Sequence, residues 1–209
     1  MGNLMVKLIE DIEEIPNIIY HGTNSDAVMS IKENIDLNFN PKRRPDFSKG
    51  FYTTANYKQA KEWAEFKAND NFSKDDLAGV IISFEVDIAR LSELNSLFFT
   101  EVNEEWAEFI IANRSRKSPS PGLLHNRDAK FDIIYGPMAD GKRIAKLIRK
   151  YENGEYSSIK EFLDEIRGVK YPFPIDHQIS FHSEMAKSCL KMRGVDYIDD
   201  TEIIKSTVS

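Results

Sequence analysis

Asp46-Phe47-Ser48-Lys49-Gly50-Phe51-Tyr52-Thr53-Thr54 carries the chain from a loop rich in proline, lysine and arginine (Asn40 to Pro45) into a short β-prone run. Gly50 stands at the junction, where a missing side chain permits a turn, or a close backbone approach, that a larger residue forbids. Along the strand that follows, alternation sends Phe51 and Tyr52 to opposite faces, so one ring packs while the other faces a pocket. Upstream, Ile18-Ile19-Tyr20-His21-Gly22-Thr23 has the same form: an apolar strand ending in a polar residue, a glycine and a hydroxyl. Two such strand ends set side by side make the floor of a cleft for a planar ligand.

The 209 residues suffice for one domain with a full core, and 41% hydrophobic with 30% charged residues is an ordinary globular composition. A formal net charge of -6 argues against a module that holds nucleic acid by general electrostatics. Lys42, Arg43, Arg44 and Lys49 still form a local basic cluster suited to a small anion. One cysteine, Cys189, excludes an internal disulfide and fits a reducing compartment. Asp11, Glu13 and Glu14 come too early for an apolar signal core. Val6 stands where the myristoylation pattern needs Ser or Thr, and no apolar run is long enough to span a bilayer. The expectation is a soluble cytoplasmic protein without a membrane partner.

Residues 1–17 read as a polar lead-in, 18–199 as one domain and 200–209 as a tail. Within the domain, Ile18 to Tyr20 predict a strand, and Ser25 an N-cap for a helix through about Glu33. Asn56 caps the next helix, with Tyr57, Ala60, Trp63 and Ala64 on its inward face. Gly79 to Asp87 reads as a central strand, apolar on both faces at its start. Ser96 to Thr100 is a weaker strand, and Asn103 caps a helix whose buried stripe is Trp106, Phe109 and Ile110. Ser115 to Asn126 is a loop of low structural propensity, expected to be the most mobile segment. Phe131 to Tyr135 predicts a strand halted by Gly136-Pro137, followed by helices over Ala139 to Tyr151 and Ser157 to Arg167. The last strand is Gln178 to His182; Ser183 then caps a closing helix through Met192, and Val195 to Ile198 adds an edge strand. Strands and helices mix without regular βαβ alternation, which favours α+β.

A phosphate loop, a dinucleotide fingerprint, a His-Glu-x-x-His pattern, a cysteine cluster and a nucleophile elbow are all absent from the sequence. What remains is His21, the Gly50 to Thr54 strand and Asp176-His177-Gln178-Ile179-Ser180-Phe181-His182-Ser183-Glu184. Tyr20-His-Gly-Thr23, then Asp46-Phe-Ser-Lys-Gly-Phe-Tyr-Thr-Thr54, then Gln59-Ala-Lys-Glu-Trp-Ala64 on a helix resemble the ADP-ribosyltransferase superfamily in kind and order. They are most similar to an uncharacterised bacterial branch of it, catalogued only as a domain of unknown function. Phe131-Asp-Ile-Ile-Tyr-Gly-Pro-Met-Ala-Asp140 and Gln178 to Glu184 extend the likeness over roughly Ile18 to Leu190.

The resemblance implies a split β-sheet core with peripheral helices, and NAD⁺ as co-substrate for transfer of ADP-ribose to a macromolecular acceptor. It places His21 as donor to a ribose hydroxyl and Gly22 and Thr23 along the nicotinamide amide. Tyr52, or Phe51 with it, stacks on the pyridinium ring, a contact worth about 0.5–2 kcal/mol. Asp46, Lys49, Gly50, Thr53 and Arg114 complete the implied NAD⁺-contacting set. The third catalytic position departs from the pattern. Gln178 stands where the superfamily often carries glutamate, and Glu184 follows only after the strand. Gln178 supplies no charge to the developing ribosyl cation, so the carboxylate must come from Glu184, be borrowed from Asp46, or be missing.

The same residues have plainer readings. His21 satisfies backbone groups at a strand end, Tyr52 packs, and Trp63 and Trp106 are core. Lys42 to Lys49 is a solvated loop or a clamp for the pyrophosphate. Glu184 sits in a first helical turn, where the dipole favours an acid without any catalytic task. Asp176, His177, His182 and Glu184 lack a second converging set, so no metal is expected. By analogy the branch suggests a bacterial toxin, with a cognate antitoxin as partner, or a phage-conflict effector. The rival classes are a catalytically weak NAD⁺- or nucleotide-binding module acting through a protein partner, and an NAD⁺ glycohydrolase.

Overall fold

The computed structural model describes residues 15–39, 44–69, 77–139, 142–167 and 176–198. Lys42, Arg43 and Asp140, nearly all of the lead-in, and the tail lie outside the described residues. The elements follow as β1 (Ile18–Asn24), α1 (Ala27–Glu33), β2 (Phe51–Thr53), α2 (Tyr57–Ala68), β3 (Gly79–Val86), α3 (Ile88–Leu91) and β4 (Ser96–Phe98). They continue as α4 (Glu104–Arg114), β5 (Ile133–Pro137), α5 (Lys142–Glu152), α6 (Ile159–Arg167), β6 (His177–Phe181), α7 (Glu184–Lys187) and β7 (Leu190–Tyr197). One sheet is three-stranded, β1-β3-β7, and the other four-stranded, β2-β6-β5-β4. Among the described residues, only the β4–β5 pairing is parallel. The described residues form an α+β fold with two sheets.

Local chemistry accounts for most of these elements. The Asn56 carboxamide oxygen accepts from the N–H groups of Lys58 and Gln59, and Asn103 caps α4 through the Trp106 N–H. Val80, Ile81 and Ile82 are all buried, as a strand between two neighbours requires. On α4, Trp106, Phe109 and Ile110 are buried, and α6 turns Phe162, Leu163 and Ile166 inward.

Four local expectations fail, each for a physical reason. Ser25 makes no side-chain cap; α1 starts after Asp26, and only the Ser25 carbonyl takes part, from the Val28 N–H. Trp63 and Tyr57 are exposed, because small Ala60 and Ala64 are what let α2 lie close on β1 and β3. Gly136 and Pro137 belong to β5 instead of stopping it, with Phe47 and Phe99 filling the space that a Gly136 side chain would need. Ser183 caps only the short α7 through Ala186, and the chain from Leu190 joins β3 as β7. The free edge of an apolar central strand gains more from a ladder than from a longer helix.

Among the described residues, the two sheets are joined by one backbone bridge, Tyr20 to Thr54, whose groups exchange hydrogen bonds of 2.8 and 2.9 Å. A first apolar cluster of Phe47, Phe99, Trp106, Phe109 and Phe162 lies between the second sheet and α4, α5 and α6. A second, with Ile19, Phe51, Ile82, Phe84 and Phe181, joins the opposite face of that sheet to the first sheet.

Candidate functional site

Beyond the bridge, β1 and β2 part. Extending the Tyr20–Thr54 register by one ladder step sets Gly22 opposite Tyr52. That backbone pair does not form; the Tyr52 carbonyl instead accepts from His21 Nδ1 at 2.7 Å. Ladder parity says where the Gly22 backbone points. Asn17 accepts from the Val86 N–H and Ser25 donates to the Ala78 carbonyl, so the odd residues of this strand turn toward β3. Tyr20 turns to β2, and by alternation Gly22 presents its N–H and C=O to the same side, where the strands have splayed.

Gly22 is glycine for a different reason. A Cβ there would lie 2.1 Å from the Ala60 carbonyl oxygen and 2.9 Å from the Ala64 nitrogen. Its side-chain direction belongs to α2, so any ligand contact is through its backbone. At Gly50 a Cβ would stand 2.6 Å from His182 Nδ1 and 2.7 Å from the Phe181 carbonyl oxygen. The close approach read from the sequence is there, with the end of β6 as its partner.

His21 is half-buried and stacks on Phe51, ring centroids 4.5 Å apart and planes at 28°. Burial lowers its pKa to about 4, against a smaller opposing pull from the Tyr52 carbonyl, so the ring is neutral near pH 7. A carbonyl oxygen carries no proton, hence Nδ1 holds the hydrogen and Nε2 is bare. The ring therefore keeps Nε2 as an acceptor, where the resemblance implies a donor. Phe51 is also reassigned, since one of its faces meets His21 and Phe84 packs against it edge-on. It orients the histidine and is not open to a pyridinium ring.

Tyr52 points to the other face. Its hydroxyl donates to the Ser48 carbonyl (2.6 Å) and accepts from the Phe47 N–H (3.0 Å), bracing a turn in which Ser48 has φ 76. Burial, with the Asp46 charge behind it, pushes the phenol pKa well above its usual value, so it stays a donor. The ring lies near-parallel to Phe47 and edge-on to His182.

On the same face, Asp46 gathers the residues singled out around it. One carboxylate oxygen pairs with Arg114 at 2.6 Å; the other accepts from the Ala139 N–H (2.6 Å) and Gln178 Nε2 (2.8 Å). The Arg114 and Asp46 side chains are 8% and 7% exposed, and the same Arg114 nitrogen also donates to the Ala139 carbonyl. Arg114 is thus engaged inside the protein, at Asp46 and the Ala139 carbonyl. Thr53 donates to the Ile179 carbonyl, again an internal bond, and Thr23 is buried on β1 just past Gly22.

Glu184 is not brought to this cluster. Its side chain is 76% exposed and paired with Lys187 at 2.5 Å. Gln178 sits level with Thr54, near the start of β6, and Glu184 follows the other end of that strand. Lys49 contributes its carbonyl, which accepts from His182 Nδ1 at 2.6 Å, while its side chain is exposed. Sequence reasoning weighed His182 only as a metal ligand. It is a buried strut, with Ser180 Oγ 2.8 Å from Nε2 and a pKa lowered to about 4 by burial. Alternation of Gln178, Ser180 and His182 along one face of β6, facing a glycine-bearing turn, was the available signal. Ser115 to Asn126 is also better held than its composition suggests: Arg127 donates to the Ser115 and Lys117 carbonyls, and Glu152 accepts from the Ser115 hydroxyl.

Among the described residues no group of three or more His, Cys, Asp or Glu is placed to hold a metal ion, and no helix is long and apolar enough to cross a membrane. A family model described as "Protein of unknown function (DUF3990)" matches residues 17–192. No curated protein and no solved structure matches the chain.

Proposed function

The chain belongs to the DUF3990 family, and from that premise and the geometry of its split sheet we propose that it binds NAD⁺ and transfers ADP-ribose to a macromolecular acceptor. The observation that carries this reading is the splayed edge at Gly22. Its N–H and C=O, turned out of the ladder, offer one donor and one acceptor side by side, the complement of a primary carboxamide such as that of nicotinamide. Next to that edge, His21 is fixed with Nε2 as acceptor for a sugar hydroxyl, and Tyr52 lies opposite Gly22 in the register. The order of motifs, similar to that of ADP-ribosyltransferases, supports the same assignment.

In the reaction the bond between ribose C1′ and the pyridinium nitrogen breaks, and its electron pair leaves with neutral nicotinamide. A lone pair of the acceptor forms the new bond to C1′, and the acceptor's proton passes to water. Positive charge builds on the sugar in between. Asp46 is the carboxylate joined to Gln178, and Arg114 offsets its charge. Loss of one well-placed charge-stabilising group costs on the order of 10²–10³ in rate, so turnover is expected to be slow. The same neutralised carboxylate favours a second reading, an NAD⁺-binding module that acts through a protein partner.

Nicotinamide release from NAD⁺ by the purified protein, with and without added cellular protein and RNA, separates these readings. Slow release that rises with acceptor and disappears in His21→Ala is the expected result. Release indifferent to acceptor indicates a glycohydrolase, and NAD⁺ binding without release indicates the binding module. Toxin or phage-conflict action follows from resemblance, and growth arrest on expression, relieved by His21→Ala, is its check.

A further inference from the structure

Gln178 has two chemically different ends, and its surroundings decide which one a ligand meets. Its carboxamide nitrogen lies 2.8 Å from Asp46 Oδ2. Asp46 also receives the Ala139 N–H on that oxygen and the Arg114 guanidinium on the other. Both oxygens of this carboxylate thus serve as acceptors for N–H donors. The amide therefore meets it through one Nε2 hydrogen, and Oε1 is the end turned away from Asp46.

We propose that Asp46 and Arg114 are positioning residues that lock the Gln178 side chain with its carbonyl oxygen presented, so that position 178 accepts from a hydroxyl or N–H donor and repels anionic groups. This rests on the reading of the site given above. It also explains why a glutamine stands where the resemblance leads one to expect glutamate. A glutamate carboxylate at position 178, in place of the amide, would meet Asp46 Oδ2 at about hydrogen-bond distance, and two carboxylates sharing one site cannot both ionise freely. The chain keeps its carboxylate one residue back from the ligand, on the loop before β2, and puts an amide in front of it. Exchanging the two is thus a different operation from adding a charge.

The test compares wild type, Gln178→Glu, and the exchange variant Asp46→Asn with Gln178→Glu, whose net charge equals that of wild type. Urea unfolding across pH 5 to 8 reads the contact itself, whatever the ligand. The new carboxyl of the single variant has a raised pKa when folded, so the stability of that variant falls relative to wild type as pH rises through that pKa. In the exchange variant the facing pair is no longer two carboxylates, and this extra pH dependence disappears. Nicotinamide release then reads the orientation. Gln178→Glu alone is no faster than wild type, whereas the exchange variant, with a charge now facing the sugar, is faster by on the order of 10²-fold.

A Gln178→Glu profile parallel to wild type from pH 5 to 8 would overturn the proposal, as would an equal gain in rate for single and exchange variants. Failure of wild type to bind NAD⁺ or release nicotinamide strikes the proposed function instead, and leaves the unfolding comparison to judge the Asp46 contact.

Discussion

At the scale of single residues, two histidines are held neutral by their surroundings. His21 gives its Nδ1 hydrogen to the Tyr52 carbonyl and His182 gives its own to that of Lys49, and burial lowers both pKa values to about 4. The unfolded chain returns them to about 6.5. Between those values the unfolded state binds two protons that the folded state refuses, so stability is intact above about pH 6.5 and declines as pH falls toward 4. Asp132 near His182 and Lys67 near His21 act in opposite senses, the first raising and the second lowering the pKa, without undoing either shift. Urea midpoints should therefore fall from pH 7 to pH 5, and His182→Gln should remove about one proton from that slope even if the variant is weaker throughout. An unchanged slope would mean that His182 is not buried neutral. The position of His21 was legible in the sequence. Its polarity was not, because the tautomer depends on a carbonyl in a different strand, at Tyr52.

Among elements, α2 on β1 shows how spacing misleads. Tyr57, Ala60, Trp63 and Ala64 share a helical face in projection, yet only the two alanines are buried. The contact is set by the smallest residues, since Gly22 brings the strand so near that the Ala60 carbonyl lies where a side chain would begin. Trp63 is left stacked on Phe66 at the surface, centroids 5.3 Å apart. Gly22→Ala is thus expected to cost at least about 1–3 kcal/mol through overpacking against helix backbone. Trp63→Ala should stay within about 0.5 kcal/mol, the range of exposed substitutions. Chemical denaturation of the two variants checks the pair, and the reverse order would contradict this packing. Caps at Asn56 and Asn103 were legible because each acts within three residues. The end of α7 was not, since Leu190 to Tyr197 is claimed by a β3 edge that lies far earlier in the chain.

At the scale of the molecule, the bridge from Tyr20 to Thr54 joins the two sheets into a floor that parts at Gly22. Both stretches that announce this floor, Tyr20-His-Gly-Thr and Ser48-Lys-Gly-Phe-Tyr-Thr-Thr, were readable as strand ends marked by glycine. That they adjoin, and that their glycines serve α2 and β6 respectively, came only from tertiary packing. The Asp46, Arg114, Ala139 and Gln178 network likewise assembles from four distant points of the chain, so the sequence shows Asp46, Arg114 and Gln178 as candidates but not their mutual contacts, and gives no sign of the part Ala139 plays.

The proposed NAD⁺ site at the splayed edge beside His21 is put to the test by a thermal-shift titration with NAD⁺, beside ATP and a His21→Ala control. A ligand that binds only the folded state adds about 2.7 kcal/mol at a hundred times its dissociation constant, enough for a shift of several degrees in a domain of this size. A rise in Tm with NAD⁺ that ATP does not reproduce and His21→Ala loses is the predicted result. No rise at millimolar NAD⁺ would contradict it.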